Sequence, residues 1–176
     1  MKNPNTTRVT LISLLSGTLL ALANGAHAWT EEVESLSNEN SRCRLEPESQ
    51  CTQSVHIGLE APGIDWNNSS MAQIRLDKAN LQGANLSGSI MQLANLEGAN
   101  LMLANFEGAH LHAANLRGSN LTMANLSGVS LLDADLRGAN LIGANLRDAI
   151  LIQAKLDGAT WIDGRVCADD SVGECL

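Results

Sequence analysis

Aromatic residues are scarce in this sequence. The 176 residues contain no tyrosine, one phenylalanine and three tryptophans, so aromatics make up 2% of the chain. Conventional globular cores depend on aromatic side chains for much of their volume. The apolar fraction is nevertheless ordinary, at 44%, so small aliphatic side chains must fill the interior. This composition argues against a sandwich or a helix bundle and favours a thin, regular structure.

The sequence also lacks the short motifs that mark common catalytic sites. It contains no G-x-S-x-G nucleophile motif and no glycine-rich phosphate loop followed by lysine. Carboxylates such as Glu97 and Glu107 stand at positions predicted to be exposed and shallow, whereas catalysis needs a concave, desolvated site. We therefore expect a protein that is not an enzyme and that holds no cofactor.

The first 28 residues have the features of a targeting segment. Lys2 and Arg8 precede a largely apolar run, Val9–Ala23, and Ala26-His27-Ala28 matches a signal-peptide cleavage site. The run is too short and too often interrupted by polar residues to indicate a membrane span; a retained N-terminal anchor is the alternative. We predict an exported bacterial protein, periplasmic or secreted, that is cleaved after Ala28 and then has no membrane insertion.

Acidic residues outnumber basic ones, 19 to 11, which gives a formal net charge of −8. Removal of residues 1–28 takes away two basic residues and lowers that charge to −10. Affinity for nucleic acid comes mainly from lysine and arginine that neutralise phosphates. The charge therefore disfavours nucleic acid as a partner, and it is compatible with a soluble protein or with a cationic partner.

Four cysteines form two pairs of eight-residue spacing, Cys43 with Cys51 and Cys167 with Cys175. Four cysteines allow three disulfide connectivities, of which the two short-range pairings are the economical choice for an exported chain. Each closed loop of this size contributes about 2–3 kcal/mol of stability. A four-thiol zinc site is the alternative, although neither spacing is the short gap that zinc ligands prefer.

A five-residue period dominates the chain between these cysteine pairs. Starting at Ile74, eighteen consecutive units such as ANLQG, ANLSG and ANLEG continue to Asp163. The middle residue is leucine in fifteen units, and the residue two places earlier is alanine in fourteen. A helix repeats every 3.6 residues and a flat strand every 2, so the period fits neither. Units this short must stack to bury what one unit cannot bury alone.

This pattern resembles the pentapeptide-repeat family, whose units follow A-(D/N)-L-x-x. The resemblance covers Ile74–Asp163 and implies an all-β fold, a right-handed quadrilateral β-helix with four units in each coil. Eighteen units would make about four and a half coils. The middle leucine and the preceding alanine would point inward and the other three positions outward. The tail with Cys167 and Cys175 resembles the tails of exported bacterial members.

We therefore predict four segments. Residues 1–28 form the signal peptide, and residues 29–73 form an acidic leader and an N-terminal cap that contains Cys43 and Cys51. Residues 74–163 form the β-helix. Residues 164–176 form a C-terminal cap closed by Cys167 and Cys175. Caps are expected because open coil ends expose unpaired backbone that other chains can join.

The twenty-residue coil sorts the middle residues into four columns, which we name faces A to D. Face A is centred on Leu76 and Leu96, face B on Leu81 and Leu101, and face C on Leu86 and Phe106. Face D is centred on Met91, Leu111, Leu131 and Leu151. Faces A and C carry outward charged and small polar residues, which predicts solvated surfaces.

Faces B and D have outward aliphatic residues. On face B these are Met102, Leu103, Met123, Ile142 and Ile162. Face D lacks the usual asparagine before the middle residue, and its predicted binding residues are Ile90, Leu93, His110, His112, Leu132, Ile150 and Ile152. Contiguous apolar patches often mark contacts, so face D is predicted to bind a partner or a second copy of the chain. Alternatively, the leader or a cap covers one of these faces.

Two histidines on face D, His110 and His112, lie near Asp133 of the next coil. Two histidines and a carboxylate form a minimal metal constellation, but exposed polar residues explain the same spacing, so we predict no metal. The leading interpretation is thus a structural or protein-binding module whose partner is unknown. Weak metal binding is one alternative. The family resemblance implies another, DNA mimicry that binds a type II topoisomerase, which export and disulfides oppose because topoisomerases are cytosolic.

Overall fold

The computed structural model describes residues 43–176, which belong to one compact unit. The predicted signal peptide and residues 29–42 of the predicted leader lie outside the described residues. Residues 43–176 contain no helix. Accordingly, no helix in this part of the chain has the length and apolarity to cross a membrane.

The backbone forms a coil in which single residues pair with residues one coil away. Every fifth residue from Gln50 to Thr160 takes part in a bridge, and each parallel bridge joins residues twenty apart, as in Asn80 with Asn100 and Asn85 with Asn105. No strand is longer than one bridge residue in the described part. The twenty-residue register produces four columns of bridges, which are the four faces predicted from the sequence.

Three backbone hydrogen bonds per face join neighbouring coils. On face A, the N–H groups of Leu96 and Gly98 donate to carbonyls of the following coil, over 2.7 and 2.8 Å. The N–H of Asn95 donates in the other direction, to Ile74 of the preceding coil, over 2.8 Å. A turn bond then closes each corner, as from the N–H of Ala99 to the carbonyl of Leu96. These bonds pair most of the backbone polar groups in the middle of the coil.

The second outward residue of each corner turn has a positive φ. Glycine fills many of these positions, for example Gly98 at 65° and Gly118 at 60°. Glycine accepts this left-handed conformation without steric cost. Face D has no glycine there, and its six turn residues with positive φ are Gln53, Gln73, Leu93, Ala113, Asp133 and Gln153.

The core is a single column of small and medium side chains. Ala94, Leu96, Ala99 and Leu101 have no more than 1% of their surface exposed, and the same alternation of alanine and leucine continues along the coil. The predicted inward positions are therefore confirmed. Only two aromatic side chains enter the interior of the described coil completely, Trp66 and Phe106.

The coil begins before the predicted boundary at Ile74. The ladder of parallel bridges starts at Gln50, within the segment that the sequence analysis assigned to the leader and N-terminal cap. The early units lack leucine at the middle position, where Ala61 and Trp66 stand instead. In one of them the order of large and small residues is reversed, with Leu59 before Ala61. Both side chains are partly buried and pack against the core in this reversed order.

Disulfides close both ends, as the sequence predicted. Cys43 is bonded to Cys51 and Cys167 to Cys175, so the alternative four-thiol zinc site does not form. At the N-terminal end the Arg44 carbonyl accepts a hydrogen bond from the Trp66 indole N–H over 3.1 Å. At the C-terminal end the tail turns back and forms antiparallel bridges with the last coil.

Candidate binding face

Face D combines its unusual turns with an unusual bridge column. The bridge residues Ile90, His110, Ser130 and Ile150 stack directly above one another. Neighbouring strands of a sheet lie about 4.8 Å apart, so these side chains form a regular column on a flat backbone. No asparagine interrupts it.

Most of the predicted aliphatic residues of face D point into solvent. Ile90, Leu93, Ile150 and Ile152 are exposed, with Ile152 the most open at 62% of its surface. Leu132 differs, because it is half-buried. Within the stretch of face D predicted to bind, from Ile90 to Ile152, the exposed aliphatic residues therefore concentrate at the two ends; the column itself continues beyond Ile90 through Ser70 to Gln50.

The polar residues of face D occupy its centre. His110 and His112 are both exposed, and the His112 Nε2 atom lies 3.7 Å from Asp133 Oδ2 of the next coil. Within residues 43–176, no three histidine, cysteine or acidic side chains come close enough together to hold a metal ion. The centre of the face thus offers hydrogen-bonding groups between two aliphatic ends.

Face B, on the opposite side of the coil, also shows aliphatic side chains. Leu103, Met123, Ile142 and Ile162 are exposed, whereas Met102 is half-buried. Unlike face D, face B keeps a ladder of asparagines along its bridge column. The amide of Asn100 donates to Asn80 over 3.0 Å and receives a bond from Asn120 over 3.4 Å.

Faces A and C are polar. On face A, Arg137 binds Asp135 through two side-chain hydrogen bonds of 2.8 and 2.5 Å, and Arg117 lies 3.5 Å from the same carboxylate. The hydrogen bonds from Arg137, aided by the charges of both arginines, hold the pKa of Asp135 below its usual value. These arginines interrupt the column of negative charge that mimicry of a DNA duplex would require.

Eight copies of the family model described as pentapeptide repeats match the chain, over residues 63–92, 94–131 and 130–160. The chain belongs to the pentapeptide-repeat family. The match begins before Ile74, in agreement with the early start of the coil. No curated protein matches the chain.

Solved structures of other pentapeptide-repeat proteins resemble the chain. Rfr23 from the cyanobacterium Cyanothece 51142 is 30% identical, with a TM-score of 0.63 over 64% of this chain and 90% of that one. HetL from Nostoc sp. strain PCC 7120, which is involved in heterocyst differentiation regulation, is 29% identical, with a TM-score of 0.43 over 69% and 61%. A trypsin-treated variant of QnrB1, a plasmid-mediated fluoroquinolone resistance protein, is 22% identical, with a TM-score of 0.44 over 65% and 66%. Of these three, only the Cyanothece protein superposes closely enough to support the fold.

Face D is where this pentapeptide-repeat chain departs furthest from its own pattern. The asparagines of faces B and C each accept a hydrogen bond from the backbone two residues later, as Asn105 does from the N–H of Glu107 over 3.2 Å. Ile90 and Ile150 offer no such acceptor. Sequence analysis identified the missing asparagines, but it did not identify the column of non-glycine turn residues. The absence of glycine two places after each middle residue of face D was the available signal.

Proposed function

We propose that this pentapeptide-repeat protein is an exported, non-enzymatic binding module whose right-handed coil presents face D to a protein partner. The observation that carries this proposal is the coincidence of three features on one face: exposed aliphatic side chains, no asparagine ladder and no glycine in the turns. The other three faces each keep asparagines at the bridge positions and glycines in some of the turns.

The backbone cost of face D supports a functional role. A non-glycine residue in the left-handed region costs on the order of 1 kcal/mol, and face D has a column of six. Single non-glycine residues such as Lys78 and Leu103 take this conformation among the glycines of the other faces, but among the described residues face D alone has an unbroken column of them. Strained backbone conformations cluster at functional sites. In return the face gains Leu93 as an outward contact residue, next to Ile90 of the bridge column.

Rigid display is the mechanism by which the face would bind. Each side chain of face D projects from backbone that is hydrogen-bonded to neighbouring coils, so its position is fixed before a partner arrives. Binding then costs little backbone ordering, and more of the contact energy appears as affinity. The aliphatic ends would contribute burial, at roughly 25 cal/mol per Å². The histidines and Ser130 at the centre would orient the partner.

The experiment compares two double variants in affinity capture from the envelope fraction of the host. Ile150→Asp with Ile152→Asp places two carboxylates on face D, and Ile142→Asp with Ile162→Asp makes the same change on face B. We expect the face D variant to lose the captured partner and the face B variant to retain it. Circular dichroism and thermal unfolding establish that both variants fold.

Two results would contradict the proposal. One is a partner retained by the folded face D variant. The other is a native chain found unprocessed in the cytosol, because the proposed partner lies outside it. If the captured protein is a second copy of the chain, sedimentation will show a dimer that the face D variant abolishes.

A further inference from the structure

On face A, the C-terminal tail pairs with the last coil through an antiparallel bridge and two backbone hydrogen bonds. Val172 of the tail forms an antiparallel bridge with Lys155. The N–H of the residue after Lys155 donates to the Ser171 carbonyl over 2.8 Å, and the carbonyl of the residue before Lys155 accepts from the Gly173 N–H over 2.9 Å. Each bridge position at the coil end thus offers the tail one donor and one acceptor.

The tail repeats the pattern on face B. Val166 forms an antiparallel bridge with Thr160. The N–H after Thr160 donates to the Arg165 carbonyl over 2.7 Å, and the carbonyl before Thr160 accepts from the Cys167 N–H over 2.8 Å. One segment of the tail therefore pairs with the terminal backbone groups of two neighbouring faces.

Faces C and D end with the same groups, and within residues 43–176 these groups are unpaired. At Asn145 and Ile150, neither the N–H of the next residue nor the carbonyl of the preceding residue has a hydrogen-bond partner in the part of the chain that the structure describes. Unpaired strand edges are ready templates for another strand. The tail therefore covers two of the four edges at the C-terminal end, and nothing else in residues 43–176 pairs with the other two.

Burial shows the same division of the coil end. Beneath the tail, Ala154, Leu156 and Ala159 have no exposed surface. On faces C and D, Ala144 is buried but Leu146, Ala149 and Leu151 are only partly buried, as is Trp161 at the end of face B. A strand laid on these faces would cover aliphatic side chains as well as backbone groups.

The tail makes the C-terminal end of the coil uneven, and the difference in height limits which partner can bind there. The tail adds one strand to faces A and B, and adjacent strands lie about 4.8 Å apart, so faces C and D end one strand lower. If a second copy stacked end to end on this coil, the two tails would contact each other first. They would keep the second coil from reaching the recess over faces C and D. The recess therefore fits one extended chain. The tail residues beside the coil, Cys167, Ser171 and Gly173, are small and show which side chains this end accommodates.

We propose that the C-terminal ends of faces C and D bind an extended peptide segment of a partner protein, in antiparallel orientation. The peptide carries small residues, such as serine, cysteine, alanine or glycine, at the positions that face Leu146 and Leu151. Backbone hydrogen bonds supply the affinity of such strand addition, and the alternate side chains supply its specificity. This site adjoins Ile150 and Ile152 of face D, but it uses the backbone groups at the coil end and not the outward side chains that carry the proposed function.

The first test uses the chain from Trp29 to Leu176 and a capped synthetic peptide, Arg165–Gly173 with Cys167→Ser. This peptide copies the tail strand that already pairs with faces A and B. At millimolar peptide we expect hydrogen exchange of the Leu146 and Leu151 amides, followed by NMR, to slow at least about tenfold, because hydrogen bonding protects amides from exchange. A peptide N-methylated at residues 167 and 173 lacks the two donors and should give no protection. Unchanged exchange with the unmethylated peptide would refute the proposal.

The second test acts on the protein. Leu151→Pro removes the open N–H group, whereas Leu151→Ala shortens the same side chain and keeps that group. We expect Leu151→Pro to bind the peptide at least about fivefold more weakly than Leu151→Ala, as the loss of one hydrogen bond implies. Equal affinities would contradict strand addition. If the Leu151 amide of the peptide-free chain already exchanges as slowly as the Leu156 amide, the chain's own leader fills the edge and the proposal is wrong.

Discussion

Single residues of the corner turns determine how much strain the coil contains. The turn position with positive φ takes glycine on much of the coil but aspartate, glutamine, leucine or alanine on face D. The fold tolerates both because neighbouring coils fix the backbone through hydrogen bonds on either side. The strain is therefore a property of each residue, and it can be measured one position at a time.

Exchanging glycine and alanine at two of these turns should have opposite effects. Gly138 has a φ of 67° and open space where a Cβ atom would lie, so Gly138→Ala introduces backbone strain without a clash. We expect it to lower the free energy of unfolding by about 1 kcal/mol. Ala113→Gly, at a φ of 53°, relieves the same strain and should raise that free energy by a smaller amount. Urea unfolding measures both, and a stabilising Gly138→Ala would contradict this account.

The carboxylate of Asp135 should make stability depend on acid pH. Its pKa is lowered in the folded state by the hydrogen bonds from Arg137. Its contribution is therefore present above the unfolded-state pKa of about 4 and is lost as the pH falls through the lower folded-state pKa. We expect Asp135→Asn to destabilise the chain at pH 7, with a difference from wild type that shrinks below pH 4. Asp148→Asn, at an exposed carboxylate 3.5 Å from Arg147, is the control and should change stability little at pH 7, because exposed ion pairs contribute little.

At the scale of the element, the asparagine ladders distinguish three faces from the fourth. Asn125 donates to Asn105 over 2.9 Å, accepts from Asn145 over 3.1 Å and accepts from the backbone N–H of Ser127 over 3.2 Å. It thus joins three coils and also holds a turn. Ser130 stands at the equivalent position of face D, and its side chain makes no hydrogen bond within the described residues.

Removing one rung of the ladder should therefore destabilise the coil more than removing its counterpart on face D. We expect Asn125→Ala to lower the free energy of unfolding by about 1–3 kcal/mol, because several hydrogen bonds are lost and partners are left unsatisfied. Ser130→Ala, at a similarly half-buried position, should change it by less than about 0.5 kcal/mol. Thermal and urea unfolding compare the two, and equal losses would show that the ladder contributes nothing specific.

The element scale also shows what the sequence could predict. The five-residue period was enough to predict the coil, its inward residues and its faces, because alanine and leucine repeat at strict positions from Ile74 onward. The earlier units were missed because Leu59 with Ala61 and the indole of Trp66 fill the tube by combinations that no single-position pattern describes. The open edges at Asn145 and Ile150 could not be predicted either, since they depend on which faces the tail happens to cover.

At the scale of the whole coil, the continuity of face D depends on the twenty-residue register. The stacking of Ile90, His110, Ser130 and Ile150 requires that no part of a coil be added or removed between them. Each coil contacts mainly its neighbours, so units can be deleted without destroying the rest. Deletions therefore separate the fold from the binding face.

Deleting half a coil should preserve the fold and divide face D. Removal of Ala114–Met123 moves Ser130 and Ile150 to the side of the coil opposite Ile90, whereas removal of Ala114–Asp133, one full coil, leaves Ile90 and Ile150 on one side. We expect both proteins to fold, with cooperative unfolding, and only the second to capture the envelope partner of the native chain. Capture by the half-coil deletion would show that face D does not act as a continuous surface.

The direction of the hydrogen bonds between coils gives the molecule an electrical polarity. On each face two N–H groups point toward the C-terminal end for each one that points back, so the peptide dipoles add along the coil axis. As in an α-helix, whose aligned dipoles leave partial charges at its ends, one end of the stack is positive. Here it is the C-terminal end, and the tail places Asp169, Asp170 and Glu174 there. The acidic tail thus acts as a counter-charge, in the way that acidic residues stabilise the first turn of a helix.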